Sequence, residues 1–554
     1  MKNMIKKLYF LILCFGMSSA IFAQNPTCYR IYLSDKNNSP YSIENPSEYL
    51  SQRAIDKRIR FNIPVTEQDL PVNPQYKQQI LAQEPLIQLL SVSKWMNTVT
   101  IYCPDSTIVP QILNLPFVDS IKAVGNYILY DAPVYQSLEN SVPMVHSSSN
   151  PSKEAIDYGN GLAQIALLNG IPLHEDGFLG EGMLIAVIDG GFLGIETNTF
   201  YQQLVNEGRF FGHYSLMPNF VDTIGGISQE VHGTMVTSAI AANTNGELVG
   251  TAPGASYALI HTEWVGSEEM IEEDFWANGA EIADSLGADV INSSLGYRMF
   301  PDFPQSDITY ANMDGVHGIA SRCATILGQK GVIVCVAAGN DGNGEFYYVN
   351  RPGDAFDILC VGACRSDSTI AEFSSHGPSY DGRVKPDITS MGVQTACYHP
   401  NDMLAYANGT SLATPVAAGL CACLWQAMPQ YTSTEIMQMI RESGHLYNNP
   451  DTEFGYGIPN FYQIYASHVG LNDYKPLNIC VYPNPVTDKL ILTNTDGNIQ
   501  SISIYNTSGQ LVLQTAVSNS PILKINVTSL PKGFYIGTAT LHNNQTGTFK
   551  FVKK

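Results

Sequence analysis

Four apolar runs constrain this chain more than any other feature. "MLIAVID" (Met183–Asp189), "ADVINSSLG", "GVIVCVAAGN" and "FDILCVGA" are nearly continuous in Val, Ile, Leu, Ala and Cys, and helical segments such as "EEDFWANGAEIADSLG" fall between them. A strand that is apolar on both sides of its pleat is buried on both faces, and alternating helices supply the cover. From about 155 to 467 the expected fold is therefore α/β, a parallel sheet sandwiched by helices. In such sheets functional groups collect at the carboxyl ends of the strands. Here those ends carry Asp189, Ser293 and Asn340.

The flanking regions carry other patterns, and 554 residues are enough for several domains. "MKNMIKKLYFLILCFGMSSAIFAQ" has a basic start, an apolar run and small residues before Ala23. It reads as a secretory signal peptide over 1–23, too short in its apolar part to be a membrane anchor. Residues 24–150 read as a small α/β domain with a linker. They contain a basic cluster, "RAIDKRIRF" (Arg53–Phe61), and then strand-like "KWMNTVTIY", helical "IVPQILNLP" and strand-like "FVDSIKAV". Ser-rich "SLENSVPMVHSSSNPSKE" (137–154) has too few apolar residues to pack and reads as an exposed linker. The α/β core is placed at 151–468. Beyond the short linker "LNDYKPLN", residues 469–554 hold short strands ("DKLILTN", "SISIYN", "QLVLQT", "GFYIGTATL") separated by turns such as "NTSG", a small all-β sandwich.

Composition excludes one class of partner. With 29 basic against 50 acidic residues, net charge −21, the chain has no basic excess to neutralise phosphates, so nucleic acid is not an expected partner. Ten of the eleven cysteines lie beyond Cys14, without regular spacing. Cys335, Cys360, Cys421 and Cys423 sit in apolar runs, where thiols act as small core residues. An oxidising compartment allows one or two disulfides, with no pairing legible.

Four polar residues stand at sharply patterned places, each with two readings. Ser411, in "NGTSLATPVAAG", opens a helix and is either a cap or a nucleophile at the positive end of the helix dipole. Asp189, before Gly190 and Gly191, is a solvated strand end or an acid held in place. His232, in "EVHGTMVTSAIAA", begins a buried helix and is structural or a general base. Asn340 closes "VCVAAGNDG" and either makes a turn or donates its amide to an oxyanion. Acyl transfer by serine needs such a base, an acid to orient it, and oxyanion donors.

The chain order Asp189, His232, Asn340, Ser411, in "AVIDGG", "HGTMV", "AAGN" and "GTSLATP", resembles the four signature segments of the subtilisin-like serine proteases, the subtilases. "GTAPGA" (Gly250–Ala255), "NSSLG" (Asn292–Gly296) and "FSSHGPSYDGRVKPDITSMG" (Phe373–Gly392) extend the likeness over about 155 to 467. The resemblance implies Ser411 as nucleophile, His232 as base and then acid, and Asp189 as its orienting acid. It implies an oxyanion hole from the Asn340 amide and the Ser411 N–H. It further implies that Ser293, Ser294, Leu295 and Gly296, with Ala337, Ala338 and Gly339, pair with the substrate backbone as edge strands. Two departures bear on the cleft. Gly-Gly follows Asp189 where the best-known subtilisins have Thr-Gly, and a long segment containing "FPDFPQSDITYANMDG" separates Gly296 from Ala337.

By the same resemblance the chain is a secreted serine endopeptidase made as a zymogen, acting on protein or peptide substrates. No cofactor is implied for catalysis, and structural calcium is common in the family, with no ligands legible here. The strand–helix–strand at 92–124 resembles the second half of a subtilase propeptide, which covers the active site as an inhibitor, with release expected in the linker. "VYPNPVTDKLIL", "ISIYNTSGQLVL", "VTSLPKGFYIGTA" and the basic "FKFVKK" resemble the C-terminal sorting domain of cargo for the type IX secretion system of Gram-negative bacteria. Pro483 and Pro485 are expected to start its first strand, and Gly533 to break the chain before the last hairpin. The location implied is secreted or cell-surface, by way of the periplasm, with no membrane span in the mature chain. A catalytically silent subtilase-fold adhesin is the alternative, although all four signature positions are filled.

Overall fold

The computed structural model of the chain describes residues 27–126, 156–217, 230–263, 268–468, 479–494, 499–506, 510–520, 522–541 and 546–554. The signal peptide, the linker at 137–154, "LNDYKPLN" and most of the "NTSG" turn lie outside the described residues. By its internal contacts the chain divides into two compact units, 1–462 and 463–554.

The first unit begins with an antiparallel sheet of β1 (Cys28–Leu33), β2 (Gln88–Ser93), β3 (Thr98–Tyr102) and β4 (Val118–Gly125), in the order β2-β3-β1-β4. Helix α1 (Gln52–Phe61) is capped by Ser51, whose hydroxyl accepts the Ala54 N–H (3.1 Å), and ends at Asn62 in the left-handed region (φ 54°). α2 (Pro74–Leu81) follows. "KWMN" was expected to be strand, but it forms the β2–β3 turn because a carboxylate elsewhere takes its donors. Glu281 accepts from Ser93 Oγ (2.5 Å), Lys94 N–H (2.8 Å) and Trp95 N–H (3.0 Å).

The core of this unit is a seven-stranded sheet whose strand pairs are all parallel. It is built from β5 (Leu184–Asp189), β6 (Phe210–Ser215), β7 (Ser256–His261), β8 (Val290–Ser293), β9 (Ile333–Ala337), β10 (Leu359–Cys364) and β11 (Ile388–Met391). The order is β11-β10-β9-β8-β5-β7-β6. The apolar runs account for this directly: every residue of β5, β8, β9 and β10 is buried. The chain goes from β5 outward to β6 and β7, then crosses to β8 on the other side of β5. That reversal opens a crevice at the carboxyl ends of β5 and β8. The sheet is flanked by α3 (His232–Ala241), α4 (Glu272–Leu286), α5 (Ile319–Gln329) and α6 (Thr410–Ala427).

α4 is buried almost end to end because the N-terminal sheet and α1 cover its outer face. Its acids meet their cations there. Arg30 grips Asp274 with two hydrogen bonds (2.7 and 2.5 Å). Arg58 grips Asp284 (3.0 and 2.9 Å) and touches Asp69, which Lys330 also holds (2.8 Å). Arg53 pairs with Asp289, Lys57 donates to the Ala288 carbonyl (2.6 Å), and Phe61 stacks on Trp425. The basic cluster of the sequence is thus one side of an internal interface. The nine described cysteines of this unit are buried free thiols, so none of the disulfides that an oxidising compartment allows forms among them.

The second unit pairs two antiparallel sheets, β12 (Ile479–Tyr482), β13 (Lys489–Asn494) and β16 (Ile522–Asn526) in one, and β15 (Leu511–Ser520), β14 (Ile499–Tyr505), β17 (Gly533–Leu541) and β18 (Thr546–Lys553) in the other. Alternate residues, among them Leu490, Leu492, Ile502, Ile504 and Phe551, fill its core. Pro483 and Pro485 lie after β12 rather than at its start, since Ile479–Tyr482 already pairs with β13. Gly533 opens β17, the first strand of the last hairpin.

Candidate active site

Asp189 is the last residue of β5 and fully buried. Its Oδ1 accepts the Gly190 N–H (2.8 Å) and the Nδ1–H of His232 (2.7 Å), the first residue of α3. Gly233 allows that approach: its N–H donates to Gly191 O (2.9 Å), and a Cβ there would lie 2.5 Å from the same oxygen. Burial alone would push the imidazole pKa down. The charge and hydrogen bond of Asp189, with Glu230 behind, outweigh it and hold His232 above the ordinary histidine value. With Nδ1 committed to Asp189, Nε2 is left as the basic nitrogen.

Ser411 is the second residue of α6 and half-buried. The start of that helix is organised by Asn340, whose Oδ1 accepts both the Thr410 N–H (2.9 Å) and the Thr410 hydroxyl (3.1 Å). Thr410 therefore does not cap its own helix; Asn340 does, and the Thr410 hydroxyl in turn accepts the Gly339 N–H (3.1 Å). With Oδ1 fixed, the Asn340 amide nitrogen faces the other way. A Cβ added at Gly409 would stand 2.8 Å from Ser411 Oγ, 3.6 Å from Ser411 N and 3.8 Å from Asn340 Nδ2, so one small space adjoins all three. Gly409 also has φ 149° and ψ 153°, a conformation open essentially to glycine alone.

Pro415 belongs to the same construction. It has no N–H to give the carbonyl four residues earlier, which is that of Ser411. That carbonyl accepts instead from Ser294 Oγ (2.8 Å), itself held by Asn292 Nδ2 (3.1 Å). Sequence reasoning missed this role of Ser294; a proline four places after a candidate nucleophile is the signal that points to it.

The remaining expected contact residues are divided. β8 and β9 are interior strands, so Ser293 and Ala337 are not edge residues, and the Ser293 hydroxyl accepts Trp276 Nε1–H (2.9 Å). The N–H and C=O of Ala338 are taken by Val361 and Asn350, and those of Gly339 by Thr410 and Ser375. Leu295 and Gly296 lie beyond the last ladder pair of β8, with Gly296 exposed. The long segment after Gly296 is folded in, burying Phe300, Phe303 and Met313. Nearby, Glu263 adjoins Gly190 and accepts from Tyr297 (2.5 Å), and burial pushes its carboxyl up to about 8. Among the described residues no three of His, Cys, Asp and Glu converge as metal ligands. No described helix is long and apolar enough to cross a membrane.

An acid, an imidazole and a hydroxyl in that chain order, on a parallel sheet, are the residue types that serine hydrolases use. Comparison with known proteins is more specific. Residues 180–457 match the subtilase family, residues 28–136 the peptidase S8 propeptide domain of Bacteroidota, and residues 480–554 a secretion system C-terminal sorting domain. The chain belongs to the subtilase family. It is 30% identical over 288 residues to M-protease of Shouchella clausii, covering 52% of this chain and 65% of that one. It is 29% identical over 313 residues to subtilisin E of Bacillus subtilis (55% and 70%), and 29% over 288 to subtilisin Savinase of Lederbergia lenta (52% and 92%). The chain thus spans somewhat under two thirds of the length of M-protease. Its sorting domain marks it for export, to the medium or the cell surface.

Proposed function

We propose that this protein is a secreted serine endopeptidase, made as a zymogen, that hydrolyses peptide bonds through an acyl-enzyme. Ser411 Oγ attacks the scissile carbonyl carbon as its proton passes to His232 Nε2. The oxyanion is met by Asn340 Nδ2 and the Ser411 N–H. Collapse breaks the C–N bond, the imidazolium returns its proton to the departing amine, and a water molecule, deprotonated in the same way, releases the acid. Asp189 keeps Nδ1 protonated and balances the charge on the ring. Ser294 steadies Ser411 through its carbonyl, and the substrate backbone runs along Leu295 and Gly296. The domain at 24–150 acts as the propeptide, docked on α4 by the arginine–carboxylate pairs, and the C-terminal domain engages the secretion machinery.

The observation that carries this reading is the fixing of Asn340 by Thr410. A capping serine needs no carboxamide locked with its nitrogen beside the hydroxyl; an oxyanion does. Nothing favours the silent-adhesin alternative. The test is fluorophosphonate labelling of the purified mature protein. Labelling is expected on wild type and lost in Ser411→Ala, which is expected to fold and to stay joined to its N-terminal domain. An unlabelled wild type, or labelling that survives the substitution, refutes the proposal.

A further inference from the structure

Glycine follows Asp189 where the best-known subtilisins have threonine, and two acids occupy the space beside it. A Cβ on Gly190 would lie 3.8 Å from Glu230 Cγ and 3.5 Å from Glu263 Cβ, already in contact with both. A longer side chain there would displace them from beside the Asp189–His232 pair. Glu230 is anchored in place: its carbonyl accepts the Leu193 N–H (3.1 Å), and its Oε1 accepts the His232 N–H (3.1 Å).

The second of these bonds falls at the start of α3. Val231, at the capping position, makes no side-chain bond to the helix, so its first N–H groups turn elsewhere, His232 to Glu230 and Gly233 to Gly191 O (2.9 Å). A helix N-terminus carries partial positive charge, which opposes a protonated imidazole on its first residue, and Glu230 sets a carboxylate at that end. The other titratable groups beside the pair are Glu263, His261, which is the ladder neighbour of Asp189, and His213 on the adjoining strand β6. Burial pushes both histidines down to about 4 and Glu263 up to about 8, which leaves all three uncharged between those values. Over that range Asp189 and Glu230 are the charges that offset the burial of the His232 imidazole.

We propose that Glu230 is a positioning residue for His232, a reading that rests on the protease function above. It fixes the first N–H of α3, and its negative charge, added to that of Asp189, steadies the imidazolium formed as Ser411 gives up its proton. It acts through His232 rather than on the reacting atoms. Its effect therefore falls on kcat and on the pH at which His232 becomes a base, and leaves substrate affinity alone.

Glu230→Gln in the mature protein separates charge from geometry, because the amide oxygen of glutamine can still accept the His232 N–H. The measurement is kcat and KM for a chromogenic peptide ester over a pH series, with fluorophosphonate labelling of wild type in parallel. The variant is expected to inflect at lower pH than wild type, with plateau kcat reduced on the order of two- to fivefold and KM unchanged. Glu230→Asp, which keeps a charge at that helix end, is expected to keep the wild-type inflection. A Gln variant that inflects at the wild-type pH overturns the assignment of Glu230 alone, and so does an Asp variant that shifts with it. A change confined to KM also overturns it, since that would make Glu230 a substrate contact. A wild type that does not label overturns the protease reading and this inference together.

Discussion

Asp189→Asn perturbs the candidate site with the least change of shape. Asp189 Oδ1 serves two donors, His232 Nδ1–H at 2.7 Å and Gly190 N–H at 2.8 Å, while Oδ2 is buried without a partner among the described residues. An asparagine has two placements here. With its oxygen in the Oδ1 position, the NH2 group takes the Oδ2 position and is buried unpaired, at a cost of about 1–3 kcal/mol. Turned over, the NH2 opposes the Gly190 N–H and obliges His232 Nδ1 to accept, which moves the ring proton to Nε2 and removes the base. In both placements the imidazolium formed during attack loses its counter-charge. For this change in a serine-protease triad the loss is about 10⁴-fold in kcat, or ~5.4 kcal/mol at 1.36 kcal/mol per decade. The pH profile moves too. His232 sits above the ordinary histidine value although burial pulls it down, because Asp189 and Glu230 outweigh burial. Wild-type activity therefore rises with pH through an inflection above that value, and with Asp189 neutralised the inflection shifts down. The assay is kcat/KM for a chromogenic peptide ester over a pH series. A variant within about tenfold of wild type, or one with an unmoved inflection, would refute the assigned role of Asp189.

Two further outcomes follow from packing and charge. Arg58→Ala, in the Ser411→Ala zymogen, leaves Asp284 buried without its main cation and Asp69 with Lys330 alone. The expected loss is about 3–5 kcal/mol of unfolding free energy in a denaturant titration. Burial raises both carboxyl pKa values, but their cations (Arg58 and Lys94 on Asp284, Lys330 and Arg58 on Asp69) lower them further, so both lie below the usual range. That stabilisation is full above the ordinary carboxylate pKa and fades as pH falls through the folded-state values, so the Arg58 effect shrinks in acid. Glu281, raised by burial, works in the opposite direction. Gly233→Ala places a methyl 2.5 Å from Gly191 O, and is expected to cost about 1–3 kcal/mol and to slow fluorophosphonate labelling by displacing His232. Unchanged melting and labelling would show that this contact relaxes freely.

Much of the architecture was legible because it is written locally. The strands ending at Asp189, Ser293 and Ala337 are apolar on both faces, and only a covered parallel sheet accepts such strands. "KWMN" misled because its own residues suit a strand, while the carboxylate that makes it a turn belongs to Glu281, nearly two hundred residues away. Pro483 and Pro485 misled because a proline-bracketed start and a proline-bracketed end look alike until the strand pairing is known.

The sequence by itself determined the parallel sheet, the flanking domains and the candidates Asp189, His232, Asn340 and Ser411, since each rests on a pattern within about ten residues. Only the tertiary structure decided how those residues are held. The Ser411 carbonyl, orphaned by Pro415, finds Ser294 117 positions away; Asn340 is turned by Thr410 70 positions away. A hydrogen bond is satisfied by whichever group the fold brings within about 3 Å, and chain distance carries no information about which group that is.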